Sequence, residues 1–303
     1  MTKTSPSKRH AAQSQCRIGP RDVEILHALD RCPLTVKQLL VLSRTFVTPF
    51  VDANNLRRRL RRMAHAGYVN SWPYAVATDG RSPRYFRLGR DGYRLLYGLD
   101  SPMPKRRLFE SIAPAHHHHT FCLAEFVVHL LIAAHKSGCL VEHFGRENSV
   151  CIEAGSSRLF PDCSFTIRHP DGRSFPFVVE IDNATERVRS KLDVESIERK
   201  IRGYDAHQSQ FGKFDPDRYL VVFITTRSER RLQHILDLAG MVMKQPQRTV
   251  FVGTSLEPFL ASDPFVDPVL KDHRGLKRTL VPQFKDQLKT KRIAKEISKP
   301  VVA

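Results

Sequence analysis

The chain lacks the patterns typical of membrane proteins and of secreted, disulfide-linked proteins. No segment approaches the ~18 consecutive apolar residues of a membrane span, and residues 1–17 contain no apolar stretch like that of a secretory signal. The six cysteines are scattered and none forms a CxxC pair, so a zinc ribbon is not expected. We therefore expect a cytoplasmic protein with reduced thiols and no membrane contact.

Acidic residues are scarce towards both ends of the chain. The 303 residues include 49 Lys and Arg against 31 Asp and Glu, a formal net charge of +18. Residues 1–113 carry a net charge of +13 and residues 271–303 carry +7, whereas residues 114–270 carry −2. Such asymmetry favours a polyanion as partner, and double-stranded DNA is the partner we expect. RNA is less expected, because no strand carries a run of stacking aromatic residues.

The first part of the chain reads as three short helices followed by a β-hairpin and a closing helix. Apolar residues recur at helical spacing in "PRDVEILHALDRC", and Thr35 is the expected N-cap of the second helix. The third helix is expected to have Thr48 as its N-cap, Pro49 as its first residue and Gly67 at its end. Two strands around an Asp-Gly turn follow in "YVNSWPYAVATDGRSPRYFRLG". This order predicts a winged helix-turn-helix DNA-binding domain over residues 18–100, preceded by a disordered basic arm.

The third predicted helix carries the residues that we expect to contact DNA. Asn54 and Asn55 lie in its first turns, where side chains of a recognition helix reach base edges, and asparagine can bond adenine with two hydrogen bonds. The arginines further along this helix and near the hairpin tip would meet phosphates. The alternative is a solvated helix face, but five arginines within six positions repel one another unless a polyanion lies nearby. The predicted DNA-binding residues are Asn54, Asn55, Arg57, Arg58, Arg59, Arg61, Arg62, Arg81 and Arg84.

Three segments follow this domain. Residues 101–115 contain three prolines and a basic cluster and are expected to be a linker. Residues 116–270 read α-β-β-β-α-β-α-β, which predicts a mixed α/β sheet flanked by helices. Its first helix opens with His116–His119, which we expect to cap or pack; the alternatives are a zinc site, which we do not expect, and a place at an active-site edge. Residues 271–303 are expected to be a disordered basic tail that adds sequence-independent affinity for DNA.

A β-hairpin in "FPDCSFTIRHPDGRSFPFVVEID" is expected to bring two carboxylates together. If Pro170-Asp171-Gly172 is a three-residue loop, Gly172 takes the left-handed conformation, and Asp162 lies directly opposite Glu180. Opposed side chains have Cβ atoms ~4.5–5.5 Å apart, so two carboxylates repel unless one is protonated or a cation lies between them. A divalent Mg²⁺ or Mn²⁺ held by Asp162 and Glu180 resolves this repulsion. The alternative is an inactive sheet edge at which Glu180 and Asp182 form ion pairs with Arg187, Arg189 or Lys200.

The hairpin resembles the core of the PD-(D/E)XK nucleases through "PD" at 161–162 and "VVEID" at 178–182. In that superfamily the Asp and the Glu bind the metal, and a Lys two positions after the Glu activates water. Asp182 stands here at the lysine position, so the resemblance implies a lysine on the following helix. Lys200, with Tyr204 one turn further on, is the first candidate and Lys191 the second. Glu147 resembles the additional acid of the superfamily, and the implied catalytic residues are Asp162, Glu180, Asp182, Lys200 and Glu147.

The arrangement of the whole chain resembles the bacterial replication-relaxation family of plasmids and other mobile elements. The matching pieces include "RDVEILHAL", "LRRRLRRMAHAGYV", "YFRLGRDGYRLL", "FPDCSF", "VVEID" and "KIRGYDA". The resemblance covers residues 18–260. It implies a winged helix-turn-helix followed by a restriction-endonuclease-like α/β domain, and a role in plasmid replication or DNA processing.

Two functions remain in competition at this level. The first is a Mg²⁺-dependent DNA endonuclease or nickase that its winged helix directs to a target. The second is a non-catalytic DNA-binding replication or transcription factor, whose inert nuclease-like domain forms a homodimer or docks replication or conjugation proteins. The opposed pair of Asp162 and Glu180 favours the first, and Asp182 at the lysine position favours the second.

Overall fold

The chain divides into two compact units, Met1–Val128 and His129–Ala303, which we call unit 1 and unit 2. None of the helices in the part that the structure describes has the length and hydrophobicity needed to cross a bilayer. The structure is a computed structural model and describes residues 16–75, 82–155, 157–184, 187–189, 196–212 and 215–282.

Unit 1 combines helices with a small antiparallel sheet. Its helices are α1 (Pro20–Arg31), α2 (Val36–Leu42), α3 (Ala53–His65), α4 (Arg90–Tyr97) and the first part of α5 (His117–Lys136). Its strands are β1 (Leu34–Thr35), β2 (Val69–Pro73) and β3 (Arg84–Leu88), in the order β1–β3–β2. The predicted cap of α2 is confirmed, because the Thr35 hydroxyl accepts a hydrogen bond from the Gln38 amide. The tip of the predicted hairpin, which includes Arg81, lies outside the described residues.

Helix α3 begins later than predicted. Asp52, rather than Thr48, is its N-cap, and the Asp52 carboxylate accepts hydrogen bonds from the amides of Asn54 and Asn55. The prediction was wrong because a charged carboxylate can satisfy two of the unpaired amides of a helix start, which a threonine hydroxyl does less well. The predicted end of the helix is confirmed, since Gly67 follows it with a φ of 79°, in the left-handed region.

The segment predicted to be a linker is bound to the sheet of unit 1. Phe109 is buried, and its carbonyl accepts a hydrogen bond from the side-chain amide of Asn70 on β2. On β3, the Tyr85 hydroxyl accepts a hydrogen bond from the amide of Ile112 at 2.9 Å. These contacts join the segment to the unit, and unit 1 extends past it to Val128 within α5.

Unit 2 is built on a mixed seven-stranded sheet, as the mixed α/β prediction requires. Its elements are β4 (Leu140–Gly145), β5 (Ile152–Ala154), β6 (Ser157–Leu159), β7 (Cys163–Arg168), β8 (Ser174–Asp182), α6 (Ile197–Gln208), β9 (Leu220–Thr225), α7 (Glu229–Val242), β10 (Phe251–Ser255), α8 (Leu256–Leu260), β11 (Leu270–Asp272) and β12 (Lys277–Arg278). The strand order in the large sheet is β12–β11–β10–β9–β8–β7–β4; β8, β9 and β10 are parallel, and the other neighbours are antiparallel. The two short strands β5 and β6 form a separate hairpin that does not join the large sheet.

The predicted register of the β7–β8 hairpin is confirmed. The ladder pairs Arg168 with Ser174 at the loop and Cys163 with Val179 at its far end. Gly172 has a φ of 87°, as the three-residue loop requires. Asp162 is the next residue beyond the ladder, and its amide donates to the carbonyl of Val179.

Helix α6 begins well after the position predicted for it. The sequence predicts a helix from Asn183, but α6 begins at Ile197 with the Ser196 hydroxyl as its N-cap. The preceding residues 187–189 are not helical. The carbonyls of Arg187 and Val188 instead accept hydrogen bonds from the first two amides of α6. These carbonyls satisfy amides that a helix start leaves unpaired, so this non-helical segment caps α6 together with Ser196.

The region predicted to be a disordered tail starts with two strands. β11 and β12 extend the sheet, and Leu280 and Val281 are buried. Asp272 is fully buried and accepts hydrogen bonds from Arg274 and Arg278. Composition suggested disorder because this segment is rich in charge, but one buried acid neutralises two of its cations. Residues 283–303 lie outside the described residues.

Candidate functional site

Helix α3 presents a polar face opposite its buried stripe. Leu56, Leu60 and Met63 are fully buried and fix the orientation of the helix against unit 1. At 100° per residue, Asn54 and Arg58 lie on the side of the helix away from Leu56. Both are exposed, and so are three further arginines of this helix. The exposed polar residues of α3 that were predicted to bind DNA are Asn54, Asn55, Arg57, Arg58, Arg61 and Arg62.

Arg59 differs from the other arginines of α3. Its guanidinium donates to both carboxylate oxygens of the buried Asp22 on α1, at 2.6 and 2.5 Å, and to the carbonyl of Arg17. The hydrogen bonds that Arg59 donates to Asp22 raise the pKa of Arg59 above its usual value. Arg59 therefore holds α3 against α1, and its charge is already neutralised within the unit.

The two asparagines of α3 have different surroundings. The side chain of Asn55 is engaged at both ends, because its amide nitrogen donates to Asp52 and its oxygen accepts from Arg58. The oxygen of Asn54 accepts from Arg57 at 3.0 Å. On the neighbouring hairpin, the exposed side chain of Arg84 donates to the hydroxyl and carbonyl oxygens of Ser71, at 3.0 and 2.8 Å.

The histidine run contributes packing to unit 1. His117 is buried, its Nδ1 accepts a hydrogen bond from the amide of Ala75, and its Nε2 lies 3.0 Å from the carbonyl of Ile112. Its ring contacts Tyr74 and Tyr85 edge-on. Both ring nitrogens are therefore occupied by backbone groups, as expected for a packing histidine.

In unit 2, two buried carboxylates lie on one face of β8. Val178, Glu180 and Asp182 alternate along the strand, so their side chains share one face, and Val178 belongs to the core that includes residues of α6 and α7. Glu180 is 3% exposed and Asp182 is 5% exposed. Buried carboxylates of this kind require compensating partners.

Glu180 has its partners on α6. The Lys200 ammonium donates to its Oε2 at 2.9 Å, and the Tyr204 hydroxyl, one helical turn on, donates to its Oε1. Burial raises the pKa of Glu180 to about 7; Lys200 opposes this rise and the charge of Asp162 adds to it. Burial, together with the charge of Glu180, also raises the pKa of Tyr204 well above its usual value. The structure thus brings Lys200 to Glu180, as predicted, while Lys191 lies outside the described residues.

Asp162 lies at the end of β7 next to this cluster. Its Oδ2 accepts a hydrogen bond from the amide of Ile181 at 2.6 Å, so the carboxylate is turned towards the backbone of β8. A carboxylate oxygen of Glu147, in the turn after β4, lies within 4.8 Å of one of Asp162. Carboxylate oxygens are ligands that Mg²⁺ and Mn²⁺ prefer. Among the described residues of unit 2, Glu147 and Asp162 therefore bring carboxylate oxygens together as metal ligands would, with one Asp162 oxygen also bonded to the Ile181 amide. Both oxygens of Glu180 accept hydrogen bonds from Lys200 and Tyr204.

Asp182 forms a separate ion pair. Arg231 on α7 donates to both of its carboxylate oxygens, at 2.5 and 2.7 Å, and the Thr225 hydroxyl donates to one of them at 3.2 Å. The sequence missed Arg231 as a partner, although Arg187, Arg189 and Lys200 were considered. In the structure β8 pairs in parallel with β9, so Asp182 lies beside Thr225, a few residues before α7 begins. A prediction of this parallel pairing would have indicated Arg231 as the partner of Asp182.

The fold and these residues define a two-unit α/β protein with an arginine-rich helix in one unit and a buried carboxylate–lysine–tyrosine cluster in the other. The chain belongs to the replication-relaxation family, whose family model matches residues 28–219, more than half of the sequence. The matched region includes α3 and the residues that surround Glu180. Searches of curated proteins and of solved structures found no match. Family membership indicates a role in replication or DNA processing.

Proposed function

We propose that this protein binds double-stranded DNA during the replication or processing of a plasmid or other mobile element, through a winged helix-turn-helix in unit 1. The observation that carries the proposal is the exposed face of α3, where four arginines and two asparagines are held outward by a fully buried leucine and methionine stripe. The three helices and the β1–β3–β2 sheet support this assignment, because a winged helix has these elements in this order. The arginines would neutralise phosphates while the start of the helix enters the major groove.

The salt dependence of DNA binding tests this proposal. Full-length protein should bind duplex DNA with an affinity that falls steeply with salt, and Arg58→Ala/Arg61→Ala should lower the log–log slope by about two, one for each lost phosphate contact. The control is Arg94→Ala/Arg106→Ala, which removes two exposed arginines that each already pair with a neighbouring acid. Equal slopes for the two double variants, or no binding by the wild type, would refute DNA binding through α3.

A second function, metal-dependent DNA cleavage in unit 2, is favoured by one specific arrangement. Carboxylate oxygens of Asp162 and Glu147 lie within 4.8 Å of each other. Nearby, Lys200 and Tyr204 both donate hydrogen bonds to Glu180, and the charge of Asp162 acts on Glu180. A hairpin that carries Asp162 and Glu180, followed by a helix that carries Lys200, supports a PD-(D/E)XK-like nuclease. Asp182, which stands at the usual lysine position, instead forms an ion pair with Arg231. We propose that the activity is that of an endonuclease or nickase.

In this proposal, Asp162 and Glu147 would hold Mg²⁺ or Mn²⁺, and Glu180 would be a further ligand through Oε2 once Lys200 moves from it to the water. Such an ion, when bound, polarises a phosphate oxygen and lowers the pKa of water. The Lys200 ammonium orients the attacking water by hydrogen bonding. The Tyr204 hydroxyl keeps the Glu180 carboxylate in place, because it is buried and its position is fixed by the core of unit 2.

Thermal unfolding with and without Mn²⁺ tests the metal site. Mn²⁺ should raise the melting temperature of the wild type, because a ligand that binds only the native state stabilises it by mass action. Asp162→Asn should largely remove this increment, whereas Asp237→Asn, which removes an exposed acid on α7, should keep it. If millimolar Mn²⁺ does not shift the wild-type melting temperature, the metal site and the nuclease function are both wrong, and a non-catalytic DNA-binding factor is the better account.

A further inference from the structure

Two valines between α2 and α3 are the most exposed large apolar side chains of the described residues. Val51 is 95% exposed and Val47 is 93% exposed, and the next, Leu99, is 81% exposed. Isolated apolar residues on a surface are common. These two, however, lie in the one short connection that leads into the arginine-rich helix, where a winged helix meets its target.

The surroundings of Val51 indicate what would cover it. It immediately precedes Asp52, the N-cap of α3, and stands three residues before Asn54. The exposed arginines in the following turns of α3 make this helix complementary to a polyanion and unsuited to a basic or apolar protein surface. On DNA, the one apolar group that the major groove presents at base edges is the C5 methyl group of thymine.

The two asparagines are not equally able to read a base. Asn55 would have to release both Asp52 and Arg58 before its amide could pair with adenine. Asn54 would have to release the exposed Arg57, whose guanidinium can move to a phosphate. The contacts therefore favour Asn54 as the base reader and Asn55 as part of the helix cap.

We propose that Val51 contacts the C5 methyl group of a thymine and that Asn54 forms two hydrogen bonds with an adenine close to it. The protein would therefore select sites that contain T·A pairs at the position facing the start of α3. This inference rests on the proposed DNA binding by unit 1, and it adds which base pairs the start of α3 recognises.

The probe is a duplex selected by full-length wild-type protein from a randomised pool, prepared once with thymine and once with 2′-deoxyuridine, which lacks only the methyl group. Wild type should bind the thymine form about four-fold more tightly, as expected for the burial of one methyl group. Val51→Ala should reduce this ratio to about one, and its near-complete exposure means that folding should not suffer. Val47→Ala is the matched control and should keep the four-fold ratio.

Repeating the selection with asparagine variants tests the second contact. Asn54→Ala should lose an adenine preference at one position, whereas Asn55→Ala should lower affinity and keep the preference.

The two contacts and the DNA binding fail separately. Equal wild-type binding to the thymine and uracil forms, a selected duplex without thymine, or a ratio that changes in Val47→Ala instead of Val51→Ala would overturn the valine contact while DNA binding stands. Loss of the adenine preference in Asn55→Ala alone would overturn the asparagine assignment. Failure to bind any duplex would refute the proposed function itself, and the inference with it.

Discussion

Individual buried acids in unit 2 differ in how their charge is compensated. Asp182 accepts two hydrogen bonds from the guanidinium of Arg231, a geometry that matches a planar fork to a carboxylate. Glu180 accepts one hydrogen bond from an ammonium and one from a neutral hydroxyl. Asp182 is therefore held in a structural ion pair, whereas Glu180 has weaker compensation and a pKa raised by burial to about 7.

Removing Arg231 should strongly destabilise the protein. In Arg231→Met the buried Asp182 loses the guanidinium that pairs with both of its oxygens, and breaking a buried pair from one side costs about 3–5 kcal/mol. Urea unfolding should show this loss in the free energy of unfolding. Arg230→Met, the exposed neighbour, should change it by less than about 0.5 kcal/mol. A similar cost for both variants would show that the ion pair does not stabilise the fold.

Glu180 should make stability depend on pH. Its pKa is raised in the folded protein, so the folded state binds more protons than the unfolded state between about pH 4.5 and 7. Stability relative to Glu180→Gln should therefore be highest below about pH 4.5 and fall as the pH rises to 7, by on the order of 3 kcal/mol. Unfolding measured with a chelator present should show this difference between the two proteins. A difference that is constant across this range would contradict the raised pKa.

At the scale of elements, local sequence signals were sufficient to predict the register of a hairpin but not the first residue of a helix. The three-residue loop closed by Gly172 determines the register of β7 and β8, because a side-chain period of two leaves no tolerance for a shift. The starts of α3 and α6 depended on which polar side chain or carbonyl reached the unpaired amides. Several candidate caps precede each helix, and the sequence does not show which of them meets the amides.

Two truncations should separate the strands β11 and β12 from the basic end of the chain. Ending the chain at residue 270 removes β12, most of β11 and the buried Leu280 and Val281, so the melting temperature should fall by several degrees. Ending it at residue 282 leaves those contacts and should change the melting temperature little. If the protein binds DNA as proposed, this truncation should also lower nonspecific affinity through the lost lysines. Calorimetry and a salt titration measure the two effects. Equal melting temperatures for the two truncations would show that these strands do not support the fold.

At the scale of the whole molecule, the proposed DNA binding and the proposed cleavage should be separable, because the residues assigned to them lie in different units. Lys200→Ala should keep the Mn²⁺-induced rise in melting temperature and DNA affinity but lose cleavage, since its proposed role concerns the water. Arg58→Ala/Arg61→Ala should weaken binding but leave the Mn²⁺-induced rise unchanged. Melts, salt titrations and nicking of supercoiled DNA measure these properties. Loss of the Mn²⁺ effect in Lys200→Ala would instead assign the lysine to the metal site.

The sequence by itself determined the elements whose signals are local. The apolar periodicity, the turn at Gly172 and the alternation along β8 predicted the mixed α/β architecture, the hairpin register and the helix that carries Lys200. These features depend on neighbours within one turn or one hairpin, so the chain displays them directly.

Only the tertiary structure decided which charged groups meet. Arg59 was expected to face DNA and instead pairs with Asp22, and Asp182 pairs with Arg231 from a different element. The cations from residue 271 onwards were predicted to lie in a disordered tail, yet Arg274 and Arg278 donate hydrogen bonds to the buried Asp272. Ion pairs between distant residues depend on how helices and strands pack, and many arginines in this chain were equally plausible partners, so the sequence could not choose among them.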